Sequence, residues 1–427
     1  MSGWRPPADV WRTARSLFFA AVSSGSGVLL LALLVVAGRW LGDRDYGRFT
    51  FALALGTIVE MLVDFGLKDY AAREIARDSG RAAPFIAHIF GLKLASGLLC
   101  LGLLTAVVWI LRPEPEVRLA CILVGASSIA RSFWMTLRQA LNGLQRFDLE
   151  SLVALADRTM LLVFGVAAIG AGTGLTGLCL AFVIARLGAL AIAWRLTNGL
   201  VGPLGVAWAP GRWPALLRDS FAFGLYSTLL NLYSYIDIVL LGVLRTDVEV
   251  GYYGAAYRLY EGFTNGAVII STVALPKLSR VHVADSARHA RLARLATTGS
   301  IAVAVPFVLL GVLFGRPLLE TLFGASFTPG TPALGVLSLG LLVVFPLQIA
   351  HSIAISTNNE GGLVRAAVVG IVCNVVLNLI AIPRYGITGS AWATLVSEAI
   401  SLAFLHARVL RRRPAGSLPG APASPVP

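Results

Sequence analysis

The sequence predicts an all-α polytopic membrane protein, with about twelve transmembrane helices in two six-helix bundles related by a parallel internal repeat. Three observations carry this expectation. Apolar runs of roughly 20 residues, the length that crosses a hydrocarbon core, recur from end to end. The 427-residue chain is 57% hydrophobic and 13% charged, with mean hydropathy +0.78, whereas soluble domains carry about 25% charged residues. Segments of the first half also recur in the second. The strand alternation of an outer-membrane barrel is absent.

The spans read, in order, near 14–38, 47–66, 84–110, 118–139, 151–171, 174–195, 218–243, 252–276, 295–315, 331–355, 362–382 and 387–407. Most connections are short, and the two longest, around 196–217 and 277–294, are basic and polar. The start, MSGWRPPADVWRTAR, lacks the pattern of a cleaved signal peptide, so the first helix is expected to be retained. Placing the N-terminus in the cytoplasm puts 22 lysines and arginines on cytoplasmic segments and span ends, among them Arg12, Arg77, Arg146, Arg212, Arg291 and Arg412. Eight fall outside: Arg39, Arg44, Arg48, Arg112, Arg118, Arg245, Arg316 and Arg384. That bias predicts both termini inside and an exterior loop at 43–46. The net charge of +13 then follows from topology and anionic inner-leaflet lipid rather than from nucleic-acid binding.

Internal similarity divides the chain. Residues 40–51, WLGDRDYGRFTF, resemble 244–255, LRTDVEVGYYGA, aligning Asp43 with Asp247 and Gly47 with Gly251 at an offset of 204. Residues 173–186 resemble 385–398, aligning Gly174 with Gly386, and Asn142 aligns with Asn358. Each half holds six spans, so both have the same orientation, and a path for cargo is expected between them. The division is placed at 1–200 and 201–410, with 411–427 a disordered basic and Pro-rich tail.

The four cysteines lie in apolar runs and form no CxxC; no HExxH and no Walker-A loop occurs, so neither metal nor cofactor is expected.

The stretches LGDRDYGRF, LVDFGLKDYAAREIAR, VGYYGAAYRLYEGFTNGAVIISTVALPKLSR and YGITGSAWATLVSE resemble the polysaccharide-export branch of the multidrug/oligosaccharidyl-lipid/polysaccharide (MOP) superfamily, of the O-antigen flippase kind. The resemblance covers nearly the whole chain. It implies a V-shaped, MATE-like transporter in the bacterial inner membrane. Its cargo would be undecaprenyl-pyrophosphate-linked oligosaccharide repeat units, its coupling ion H⁺ or Na⁺, and its partners a polysaccharide polymerase and glycosyltransferases.

Ionisable residues inside spans are costly and face a cavity or a partner. Here they are Glu60, Asp64, Lys93, Arg131, Asp157, Arg158, Arg186, Asp237, Arg258, Glu261 and Glu398. Lys93, Arg131, Arg158 and Arg186 are cavity candidates, because guanidinium forks bind phosphate bidentately and stay protonated. Each has the alternative of an interhelical pair with a carboxylate. Arg258 is a further cavity candidate, with the alternative that it pairs with Glu261 at i+3. Asn374 and Asn378, at i and i+4 on span 11, either line the cavity or bond between helices. For Asp237 three roles stand open: pairing with an arginine such as Arg258, a proton or sodium site, or contact with sugar hydroxyls. Glu60, Asp64, Asp237, Glu261 and Glu398 are the coupling or gating candidates.

Three other functions meet features of the sequence only in part. A multidrug antiporter would favour an acidic or apolar cavity. A peptidoglycan-precursor flippase resembles a fourteen-span plan. A membrane glycosyltransferase would use Asp43-Arg44-Asp45 as a D-x-D pair, but the loop around it is too small to build a sugar site.

Overall fold

The computed structural model describes residues 25–284, 286–357 and 359–407. The tail at 411–427, Asn358 and the start of the first span lie outside them. The helices are α1 (Gly27–Asp64), α2 (Leu67–Arg77), α3 (Ala82–Leu111), α4 (Pro115–Gly143), α5 (Phe147–Gly170) and α6 (Gly174–Val201). They continue as α7 (Trp213–Leu244), α8 (Asp247–Ala284), α9 (Ser286–Leu313), α10 (Gly315–Leu322), α11 (Thr331–Ser356) and α12 (Glu360–Leu405).

Among the described residues nine helical stretches are long and apolar enough to cross a membrane. Two of them, Gly27–Arg77 and Gly361–Leu405, turn back within the helix. Gly42 (φ 76°) breaks α1 and Gly386 (φ 57°) breaks α12, a left-handed backbone that glycine adopts without steric cost. Each stretch therefore holds two crossings. With α8, whose polar residues keep it out of the nine, the expected twelve are recovered. Leu98, Leu99 and Leu103 on α3 stay 58–64% exposed, the outward face of a helix whose neighbour is lipid.

Three boundaries differ from expectation. Residues 43–46 are helical, so the turn between spans 1 and 2 is a single glycine and the D-x-D triplet has no loop to work in. The segment near 316–330 folds as α10 and a 3₁₀ turn. The polar stretch 277–294 is mostly helix, continuing α8 and opening α9. In each case polar composition marks the end of the apolar run, not the end of the helix.

The chain's turns lie on two faces, called here the Gly42 face and the Gly66 face. On the Gly42 face the halves lock together. A Cβ at Gly47 would fall 1.7 Å from the Asp247 carbonyl oxygen, and one at Gly251 would fall 2.1 Å from that of Asp43. These are the residues the internal repeat aligns, and they meet reciprocally, as a twofold relation requires. Gly174 and Gly386, the other aligned glycines, both have positive φ. Tyr46 packs on Phe323 and Phe327, with centroids at 5.8 and 5.6 Å. On the Gly66 face the start of α7 rests on the first half: Gly66 backs onto Gly224, Arg73 covers the Phe223 ring at 5.0 Å, and the Tyr70 hydroxyl donates to Asp219. α2 is amphipathic, burying Leu67, Tyr70, Ala71 and Ile75.

Candidate functional site

In the first half, α4, α5 and α6 bring three arginines together. Arg131 Nη1 donates to Glu60 Oε2 at 2.5 Å. Arg186 Nη1 donates to both oxygens of Asp157 at 2.5 Å, and its guanidinium lies 5.8 Å from the Trp134 ring. Arg158 sits 3.9 Å from Asp157. Three cations thus share two carboxylates. Arg131 Nε, Arg158 Nη1 and Trp134 Nε1 are buried donors that meet no acceptor. Orphaned buried donors are rare, because each costs about 1–3 kcal/mol. The Arg131 and Arg158 side chains keep 27% and 20% of their surface open. Arg131 also faces Tyr235, on α7 of the second half.

Lys93 does not join this group. It is fully buried, and Nζ meets Asp64 Oδ1 (2.6 Å), the Ser132 carbonyl (2.9 Å), Ser132 Oγ (2.8 Å) and Thr136 Oγ1 (2.7 Å). Four acceptors exhaust an ammonium's three protons, so this cation staples α1, α3 and α4 together. Asp64 pairs with Lys68 as well, at 2.9 Å.

In the second half the site has a different chemistry. Asp237 is buried and accepts from Tyr253 OH (3.0 Å), Asn378 Nδ2 (2.8 Å) and Thr394 Oγ1. Ser390 donates to Asn378 Oδ1 at 2.8 Å, and Asn378 reaches Asn374 Oδ1 at 3.2 Å. Among the described residues no lysine or arginine pairs with Asp237. The expected partner, Arg258, pairs with Glu261 at 2.6 Å instead. The reason is helical geometry: the i, i+3 carboxylate is nearer to Arg258 than one on another helix, and Tyr253 rather than Arg258 points from α8 at Asp237. Asn374 and Asn378 are wholly buried, bonding between helices, and Glu398 accepts from Tyr260 at 2.9 Å.

Sequence reasoning missed Thr394, Ser390 and Tyr253. The signal was present. Ser390, Thr394 and Ser397 share a helix face at steps of four and three, as do Tyr253, Tyr257 and Tyr260. Also missed was a latch on the Gly42 face. Asp247 lies 3.0 Å from Arg48 Nε and 2.8 Å from Arg112 Nη1, both from the first half. Among the described residues no cluster of His, Cys, Asp and Glu is arranged to hold a metal ion.

The sequence model of polysaccharide biosynthesis proteins matches residues 14–282, more than half of the chain. The chain belongs to that family. A second model, that of the lipid II flippase MurJ, matches residues 246–421. Among curated relatives, "Probable low-salt glycan biosynthesis flippase Agl15" of Haloferax volcanii is 25% identical over 417 residues, covering 94% of this chain and 84% of that protein. "Capsular polysaccharide biosynthesis protein CapF" of Staphylococcus aureus is 27% identical over 34% of this chain and 37% of its own length. The fold matches that of the lipid II flippase MurJ in an inward closed conformation, with TM-score 0.73 at 15% identity, over 91% of this chain and 86% of that one. It also matches an inward-facing multidrug resistance MATE transporter of the MOP superfamily, with TM-score 0.72 at 14% identity, over 91% and 96%. The architecture of this polysaccharide biosynthesis family member is therefore the MOP transporter fold, as its sequence implied.

Proposed function

We propose that the protein is a flippase for lipid-linked oligosaccharides. In this reading it carries undecaprenyl-pyrophosphate-linked repeat units from the cytoplasmic to the exterior leaflet of the bacterial inner membrane by alternating access. The observation that supports it best is the arginine group of the first half. Moving a pyrophosphate through hydrocarbon bare costs tens of kcal/mol. Three arginines sharing two carboxylates leave a net positive charge at membrane depth, and the unpartnered donors of Arg131 and Arg158 are ready for anionic oxygens. The names of Agl15 and CapF point the same way.

Coupling to H⁺ or Na⁺ is assigned to Asp237. Its carboxylate is surrounded by neutral hydroxyls and amides, so a proton or sodium ion arriving there meets no competing cation. Partners that supply and consume the cargo, glycosyltransferases and a polymerase, follow from the same reading.

The test is transport of a fluorescent pyrophosphate-linked glycolipid in proteoliposomes. Arg158→Gln and Arg131→Gln are expected to lower the rate at least tenfold with normal insertion. Arg158→Lys should rescue in part, since lysine keeps the charge and loses the fork. Asp237→Asn should retain slow transport that no longer responds to the ion gradient. Wild-type rates from a variant neutral at Arg131, Arg158 and Arg186 would refute the anionic-headgroup reading and favour the drug antiporter.

A further inference from the structure

The second half holds another carboxylate that no ion pair explains. Glu398 lies on α12 one turn beyond Thr394, toward the Gly66 face, and is 7% exposed. Oε1 accepts from the Tyr260 hydroxyl at 2.9 Å. Oε2 is sealed from solvent and meets no hydrogen-bond donor. The wall opposite it is Gly340 of α11, where an added Cβ would stand 3.4 Å from that oxygen.

The titratable groups around Glu398 come from two helices. Tyr257 and Tyr260 face it from α8, and Tyr233 and Asp237 from α7. None of these can carry a positive charge, and among the described residues no lysine or arginine pairs with Glu398. An ionised carboxylate would hold a full charge against a single neutral donor, in a protein interior that itself sits in a membrane. A neutral carboxylic acid removes that charge and leaves only a carbonyl-type oxygen unpaired. Sodium does not fit as well. Hard cations gather about six oxygen ligands, and one free carboxylate oxygen facing a glycine does not supply them.

We propose that Glu398 is a protonation site separate from Asp237, occupied by a proton while Tyr260 is docked on it. A polar chain leads from Asp237 to the Tyr233 hydroxyl, which faces Glu398 without bonding it: Asn378 on Asp237, Asn374 next to Asn378, Ser397 next to Asn374, and the Tyr233 hydroxyl 2.7 Å from Ser397. The proton comes from water when α8 and α12 part and returns to water the same way, so the step is a simple acid dissociation. On the flippase reading this adds a second proton to the transport cycle. The protonation itself does not depend on that reading.

Infrared difference spectroscopy of the full chain in nanodiscs, between acid and alkaline pH, tests it without any cargo. At neutral pH the wild type should show the carbonyl stretch of a neutral carboxylic acid, equivalent to one group per chain. Glu398→Gln should lose that band and Asp237→Asn should keep it. Tyr260→Phe, which removes the hydrogen bond and not the acid, should shift its frequency. An unchanged band in Glu398→Gln, or no shift in Tyr260→Phe, overturns the proposal. Wild-type protein that moves no pyrophosphate-linked glycolipid while the band behaves as described would refute the flippase reading and leave Glu398 protonated.

Discussion

Replacing Asp247 with alanine should open the Gly42 face. Asp247 carries two guanidinium groups from the other half, Arg48 at 3.0 Å and Arg112 at 2.8 Å. Without it Arg48 keeps Asp45 at 2.9 Å and Glu116 at 3.4 Å. Arg112 keeps only its seat on the Phe51 ring at 4.5 Å, since Nε and Nη2 already lack partners. Removing one partner of a buried pair costs about 3–5 kcal/mol. Arg48's remaining carboxylates reduce the loss, so about 2–3 kcal/mol falls on the closed state, in line with a hydrogen bond to a charged group. At 1.4 kcal/mol per factor of ten, the open form gains roughly 30–150-fold. Thr50, 2% exposed beneath Gly254, reports it. A cysteine there, with the half-buried Cys100 and Cys373 replaced, should react with an impermeant maleimide faster by about that factor in Asp247→Ala. Unchanged labelling in a variant of normal yield would show that packing, not the latch, holds the face shut.

Two further substitutions test the frame. Gly47→Ala places a Cβ 1.7 Å from the Asp247 carbonyl, so the halves cannot close; transport should fail and Thr50→Cys labelling should rise, with insertion unaffected. Lys93→Met strands Asp64, which keeps only Lys68; the loss of about 3 kcal/mol should appear as a lower thermal midpoint, and Asp64→Leu on the same chain should restore part of it.

The fold was legible because its signals are long. Twelve apolar runs set the crossings, and the glycine pairs set the twofold relation between the halves. What was not legible depended on side-chain reach across helices. Lys93 and Arg131 look alike in the sequence as cations at depth, yet one meets four acceptors and the other is left with a spare donor. Asp237 was opaque for a similar reason. Its partners lie 16, 141 and 157 residues away, and an apolar run records neither the rotation of its helix nor the neighbour it meets. The loop expected at 43–46 failed in the opposite sense, because three polar residues in a row continue a helix when packing against the other half fixes it.

One helix meets every feature that a coupled cycle needs. At its Gly42-face end α8 supplies Asp247 to the latch. One and a half turns on, Tyr253 donates to Asp237, and two turns further Tyr260 donates to Glu398. Between them Arg258, with Glu261, lies within reach of Tyr46 and Tyr235 on the side that faces the other half. Pro276 comes only after all of these. Proline removes a helical hydrogen bond, and the segment from Asp247 to Glu261 holds no proline. On the proposed flippase reading, a proton or sodium ion at Asp237 would weaken the call on Tyr253, and a proton leaving Glu398 would change the hold of Tyr260. Each would act on the same helix, whose first residue, Asp247, holds the latch on the Gly42 face. On that reading no relay of contacts through the core is needed: both halves would bias one helix, and a helix with two positions is the physical requirement for coupling between distant sites.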